Sequence, residues 1–141
     1  LDHVGVIVAD VDKAAAHYES LGIGTFDPPP ADSQRQRWVR GTLIDDYVLK
    51  IRLGYLGPIR VELLEHVSGK ESIHKEFMES TGGGIHHLAY AIDDIEEAER
   101  VMRSAGYEQI FKSRRPGGGA GYFRSDRPDA VVFELLQRPR P

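Results

Sequence analysis

Hydrophobic positions in this chain recur with two different periods, one after the other, and the sequence of periods occurs twice. After His3, the residues Val4, Val6 and Val8 fall at every second position, the spacing of a strand with one buried face. Beyond Asp10 the spacing changes, and Val11, Ala14, Tyr18 and Leu21 follow a helical period. After His87 the pattern returns as Leu88, Tyr90 and Ile92, then as Ile95, Ala98, Met102 and Ala105. Each passage predicts a strand followed by a helix. Asp10 and Asp94 stand where an N-cap is needed, and Glu97 follows Asp94 at capping-box spacing. Gly22 and Gly106 stand where each helix requires a left-handed residue to end it.

The two passages align without a gap from Asp2 and His86 onward, at an offset of 84 residues. His3 falls on His87, Asp10 on Asp94, Ala14 on Ala98, Ser20 on Ser104 and Gly22 on Gly106. A second echo follows at an offset of 72, where IRVELLE (59–65) matches VVFELLQ (131–137) and Glu62 falls on Glu134. The first copy is therefore twelve residues longer between helix and last strand, and the excess reads as the polar, Pro-rich loop DPPPADSQRQRW. Each copy has room for two further strands between its helix and its last strand. The expected architecture is α+β: one domain over 1–141, built from a βαβββ module at 1–66, a linker at 67–84 and a second βαβββ module at 85–141. Within the linker, a short helix is expected from about Ser72 to Glu79, ended by Thr81 and the glycines after it.

Composition narrows the function classes. No run approaches the ~20 apolar residues of a membrane-spanning helix, and no signal-peptide or lipidation motif is read. A net charge of −4 gives no general attraction to nucleic acid. Cysteine is absent, which removes disulfides, thiolate catalysis and cysteine-based zinc sites and fits a cytoplasmic protein. A metal here would be held by nitrogen and oxygen.

The repeat selects four such residues. In each copy a histidine opens the first strand, His3 or His87, and a glutamate stands inside the last, Glu62 or Glu134. Each glutamate sits among apolar neighbours, where an unpaired carboxylate is costly. A single strand-start histidine is ordinarily solvated, and a single strand glutamate is ordinarily paired with an arginine such as Arg60. Recurrence of both types at equivalent positions favours one shared centre. Two imidazoles and two carboxylates suit one divalent ion (Mn, Fe, Co, Ni or Zn) with positions left for substrate oxygens. Successive strand residues point to opposite faces, so of the adjacent histidines only His87 is in register with His3. His86 is expected to be structural.

The stretches DHVGVIV (2–8), VELLE (61–65), GIHHLAYAIDDIEEA (84–98) and VFELL (132–136) resemble the vicinal oxygen chelate superfamily of glyoxalases, bleomycin-resistance proteins and extradiol dioxygenases. The resemblance covers nearly the whole chain and implies an open, cupped mixed sheet around a metal. The stretch 61–98 and RRPGGGAGYF (114–123) most resemble the methylmalonyl-CoA epimerase group. By position, that resemblance implies metal binding by His3, Glu62, His87 and Glu134, an acyl-CoA substrate, and a homodimer. It also implies a proton passed at the carbon beside the thioester, with Glu134 as one carrier. The epimerase pattern has a further glutamate near the end of its second strand. Counting back from Glu62, that position falls on Asp46, so Asp46 or its neighbour Asp45 is the candidate for the second carrier.

Other readings of the same ligand set stay open. A lactoylglutathione lyase of the glyoxalase I type resembles it closely, and a metal-free binding protein of the resistance type shares the fold. Arg35, Arg37, Arg40, Lys50, Arg52, Lys112, Arg114 and Arg115 are candidates to meet coenzyme A phosphates, or are solvated surface. PGGGAG lacks the Lys-Ser/Thr ending of a P-loop and reads as a flexible rim of the pocket.

Overall fold

The structure, a computed structural model, describes residues 1–31, 34–127 and 131–139. The chain divides into two compact units, one of His3–Ala31 and Asp46–His86, the other of Leu1–Asp2, Asp32–Asp45 and His87–Pro141. No helix among the described residues is long and apolar enough to cross a membrane.

The first unit holds β1 (His3–Ile7), α1 (Val11–Ser20), β4 (Val48–Leu56), β5 (Ile59–Ser68) and α2 (Ile73–Thr81). β1 runs parallel to β5, with Gly5 opposite Glu62, and β4 closes an antiparallel hairpin onto β5, with Leu53 opposite Glu62. Asp10 caps α1 through Oδ1, which accepts from the N–H groups of Asp12 and Lys13. The apolar stripe of α1 is buried on the sheet: Val11 and Ala15 pack with Phe26, Val61 and Leu63, flanked by Val6, Val8, Ala14, Tyr18 and Ile23. Odd-numbered residues of β5 thus feed this core, which turns Glu62 to the opposite face. Ser72 caps α2, and Gly82, with φ 78°, ends it in the left-handed conformation.

The second unit holds β2 (Gln36–Val39), β3 (Thr42–Ile44), most of β6 (Gly84–Ala91), α3 (Ile95–Ser104), β7 (Glu108–Arg115), β8 (Gly118–Arg124) and β9 (Val132–Gln137). Its strands lie in the order β3-β2-β7-β8-β9-β6. β6 runs parallel to β9 with Ala89 opposite Glu134, the register of Gly5 opposite Glu62 carried over by the two offsets. The internal repeat is therefore a repeat of strand pairing as well as of sequence.

Three details differ from the sequence reading. The excess of the first copy is not all loop, because Gln36–Val39 forms β2, which pairs antiparallel with β7 of the second copy, so the hairpin β2–β3 belongs to the second unit. Residues 32 and 33 of that stretch lie outside the described residues. The strand expected before β4, in TLIDDYVLKIRLGY, forms as β3 but pairs with β2 in the second unit, while Leu53 of β4 makes an isolated bridge with Asp27. PGGGAG is not a flexible rim: Gly118–Arg124 is β8, paired on both sides. Its glycines are there because the strands approach too closely for side chains. A Cβ on Gly118 would come within 2.5 Å of the Gln137 carbonyl oxygen, and one on Gly119 would run into that of Ser113.

Candidate metal centre

Each half of the repeat builds one histidine–glutamate pair. In the first unit, Nε2 of His3 lies 3.3 Å from Oε2 of Glu62, with His3 buried and Glu62 largely so. In the second unit, Nε2 of His87 lies 3.2 Å from Oε2 of Glu134, and both side chains are buried. The parallel pairing of first and last strand sets this geometry: His3 opens β1, His87 is the fourth residue of β6, and each glutamate stands opposite the second residue after its histidine. With a proton on Nε2 such a pair is a buried ion pair. Without it, ring nitrogen and carboxylate oxygen are both lone-pair donors. Two donors bound cis to one transition ion at about 2.1 Å stand about 3 Å apart, so the observed spacings fit either state.

The pairs differ in their surroundings. His87 lies against the ring of Tyr122, with centroids 4.7 Å apart, and Tyr122 lies 5.1 Å from Phe111. Tyr122 stands opposite Glu134 across β8–β9, the place that Leu53 takes opposite Glu62. The sequence reading overlooked Tyr122. Its signal was available, since pairing β8 back from Glu134 brings an aromatic residue to that position.

His86 packs against α2. Its ring meets Phe77 edge-on at 4.9 Å and lies 5.5 Å from His74, whose Nδ1 is hydrogen-bonded to the Tyr47 hydroxyl. Asp45 and Asp46 are both exposed, and Asp46 Oδ2 accepts from the Lys70 N–H. Asp46 lies just before β4, seven residues ahead of Leu53, the partner of Glu62. Asp45 directly follows β3. The candidate basic residues are also divided. Lys50 and Arg52 pair with Asp12, and Arg114 pairs with the buried Glu99 at 2.5 Å.

The profile of the Glyoxalase/Bleomycin resistance protein/Dioxygenase superfamily matches residues 2–123. An ethylmalonyl-CoA/methylmalonyl-CoA epimerase of Cereibacter sphaeroides is 31% identical over 121 residues, covering 85% of this chain and 80% of its own. The uncharacterized protein YqjC of Bacillus subtilis is 23% identical over 141 residues, covering 97% and 91%. Among solved structures, methylmalonyl-CoA epimerase from Mycobacterium tuberculosis superposes with a TM-score of 0.70 at 24% identity, over 100% of this chain and 88% of that one. That likeness shows a glyoxalase-like α+β fold. With its duplicated βα units and its two histidine–glutamate pairs, the chain belongs to the glyoxalase/bleomycin resistance/dioxygenase superfamily.

Proposed function

We propose that this protein is a divalent-metal-dependent isomerase that moves a proton at the carbon beside the thioester of an acyl-CoA, with methylmalonyl-CoA as the substrate of choice. The observation that carries the reading is the duplication of a buried histidine–glutamate pair in matching register. One such pair is an ordinary buried ion pair; two equivalent ones are the signature of a shared ion. The four side chains have the donor atoms and the burial that an ion requires, and all four donors are hard or borderline, as Mn, Fe, Co, Ni or Zn prefer. A bound ion supplies Lewis-acid stabilisation of the negative charge that develops on substrate oxygens when the neighbouring carbon loses its proton.

The chain's own residues divide the remaining work. His3 and His87 supply neutral imidazole nitrogen. Glu134, with one oxygen toward His87, is the carboxylate assigned to take the proton, and Glu62 is its counterpart for return on the other face. We assign the role to these carboxylates rather than to Asp45 and Asp46, which are both exposed. Tyr122 holds the His87 ring and walls off water from that side. The curated relative named as an ethylmalonyl-CoA/methylmalonyl-CoA epimerase supports the acyl-CoA substrate. Association of two copies belongs to the same reading and is read directly by sedimentation.

The test is exchange of the C2 proton of methylmalonyl-CoA in deuterated water, followed by NMR with metal-stripped and metal-loaded protein. Wash-in that requires added Co(II) or Mn(II), and that His87→Ala abolishes, is the expected result. Absence of exchange by metal-loaded protein rejects this substrate, and glutathione hemithioacetals are then the next to try.

A further inference from the structure

On the α3 side of the second unit, the tip of the β2–β3 hairpin meets the last turn of α3 and the start of β7. Between them is a pocket of about 250 Å³ whose lining includes Trp38, Arg40, Arg103, Gln109 and Lys112. Its lining carries three cations and no carboxylate, on a chain whose net charge is −4. The Lys112 ammonium sits 5.3 Å from the centre of the Trp38 ring, directly across the β2–β7 pairing, so the indole fixes that charge in place. Arg103 donates to the Gln109 side-chain oxygen at 2.5 Å and reaches Glu99 at 3.5 Å. Glu99 is itself buried and already bonded to Arg114 and Gln109, so it anchors the cluster from beneath.

The hairpin tip adds an independent observation. Arg40 and Gly41 form a two-residue connection between Val39 and Thr42, with φ values of 44° and 82°. Positive φ at both positions defines a turn whose first residue is ordinarily Asn, Asp or Gly. Arg40 is the one non-glycine residue with positive φ among the described residues, and its N–H is fixed to the Ile110 carbonyl at 3.1 Å. The chain keeps a long cation where the backbone favours a small residue. Local conflicts of this kind mark functional positions.

We infer that this pocket binds a phosphomonoester, with Arg40, Arg103 and Lys112 as its charge partners and Trp38 as its wall. Charge-assisted hydrogen bonds from two guanidinium groups and an ammonium match the oxygens of a terminal phosphate. Such a group comes from either of two sources, the 3′-phosphate of coenzyme A or a free phosphorylated metabolite. The inference does not rest on the proposed isomerase activity, and its test uses neither metal nor turnover.

Trp38 is the only tryptophan of the chain, so its fluorescence reports on this pocket alone. The full chain is titrated with coenzyme A, dephospho-coenzyme A and inorganic phosphate. A saturable change with coenzyme A that is about tenfold weaker without the 3′-phosphate supports the site and assigns the coenzyme as its source. A saturable response to inorganic phosphate, with both coenzymes bound alike, supports the site and assigns the free source. Lys112→Gln is expected to weaken binding by about tenfold. Arg40→Asn is the decisive variant, because it favours the turn and removes the cation. It is expected to leave the melting temperature equal or higher while also weakening binding by about tenfold. No saturable response to any of the three probes, or an Arg40→Asn protein that binds as the parent does, overturns the inference.

Discussion

The side-chain oxygen of Gln137, the last residue of β9, accepts a hydrogen bond from the backbone N–H of Ile95, the first residue of α3, at 2.9 Å. Glu65 does the same for Val11 at the start of α1, also at 2.9 Å. Gln137 and Glu65 occupy equivalent places in the repeat, as do Ile95 and Val11. Each satisfies an N–H that a helix leaves unpaired at its start, one the aspartate cap does not reach. The same strand that carries the site glutamate thus also fixes the helix of its own half.

Gln137→Leu, which keeps the bulk and removes the acceptor, is expected to cost about 1 kcal/mol in urea unfolding. Gln137→Glu, which restores the arrangement of the other half, is expected to retain most of the stability. Equal losses in both variants would show that the hydrogen bond is not what matters at this position.

This doubling explains why so much was legible beforehand. Strand and helix periods, aspartate caps and C-terminal glycines are local signals, and Gly22 and Gly106 do take positive φ. The pairs His3–Glu62 and His87–Glu134 are far apart in sequence, yet the repeat aligned them. What escaped were features set by partners distant in the chain. Gln36–Val39 resembles a polar loop because its strand character comes from pairing with β7. Gly118 and Gly119 look like a loop until neighbouring strands are seen to press on them. Glu97 has capping-box spacing, yet its carboxylate pairs with Arg100.

Gly119 tests that last distinction between strand and rim. In a mobile loop, Gly119→Ala would be neutral. Pressed against the Ser113 carbonyl oxygen, it is expected to destabilise the fold by about 1–3 kcal/mol, read by chemical denaturation. Gly41→Ala is the control for a glycine with open space around it, where the cost comes from positive φ alone.

The carboxylates separate by rate. Glu134→Gln is expected to lower proton exchange at C2 of methylmalonyl-CoA by at least about 100-fold, the contribution of a positioned general base. Asp45→Asn and Asp46→Asn are expected to stay within about threefold of the parent, the effect of a surface charge. A loss with Asp46→Asn as large as that with Glu134→Gln would return the proton-transfer role to the segment just before β4.

The surface cluster of Asp12 with Lys50 and Arg52 predicts a pH window. The hydrogen bond from Lys50, with Arg52 adding its charge, holds the Asp12 carboxyl below its ordinary 3.8, and the same bond raises Lys50 above 10.5. Stabilisation through Asp12 is fully present above pH 3.8 and is lost as pH falls through the lowered value. Stabilisation through Lys50 is present below pH 10.5 and is lost as pH rises through the raised value. The difference in melting temperature between the parent and Asp12→Asn should therefore form a plateau that falls away at both ends. Because the group is exposed, added salt should shrink it. A difference independent of pH would assign the effect to packing.

The central claim is that two equivalent histidine–glutamate pairs act on one ion. It is tested most directly by titrating metal-stripped protein with Co(II) and following its ligand-field absorption, alongside His3→Ala and His87→Ala. The account predicts one equivalent bound per chain, and loss of that tight site in either variant, although each leaves the other pair intact. Two equivalents per chain, or a full equivalent still bound after removal of either histidine, would contradict it.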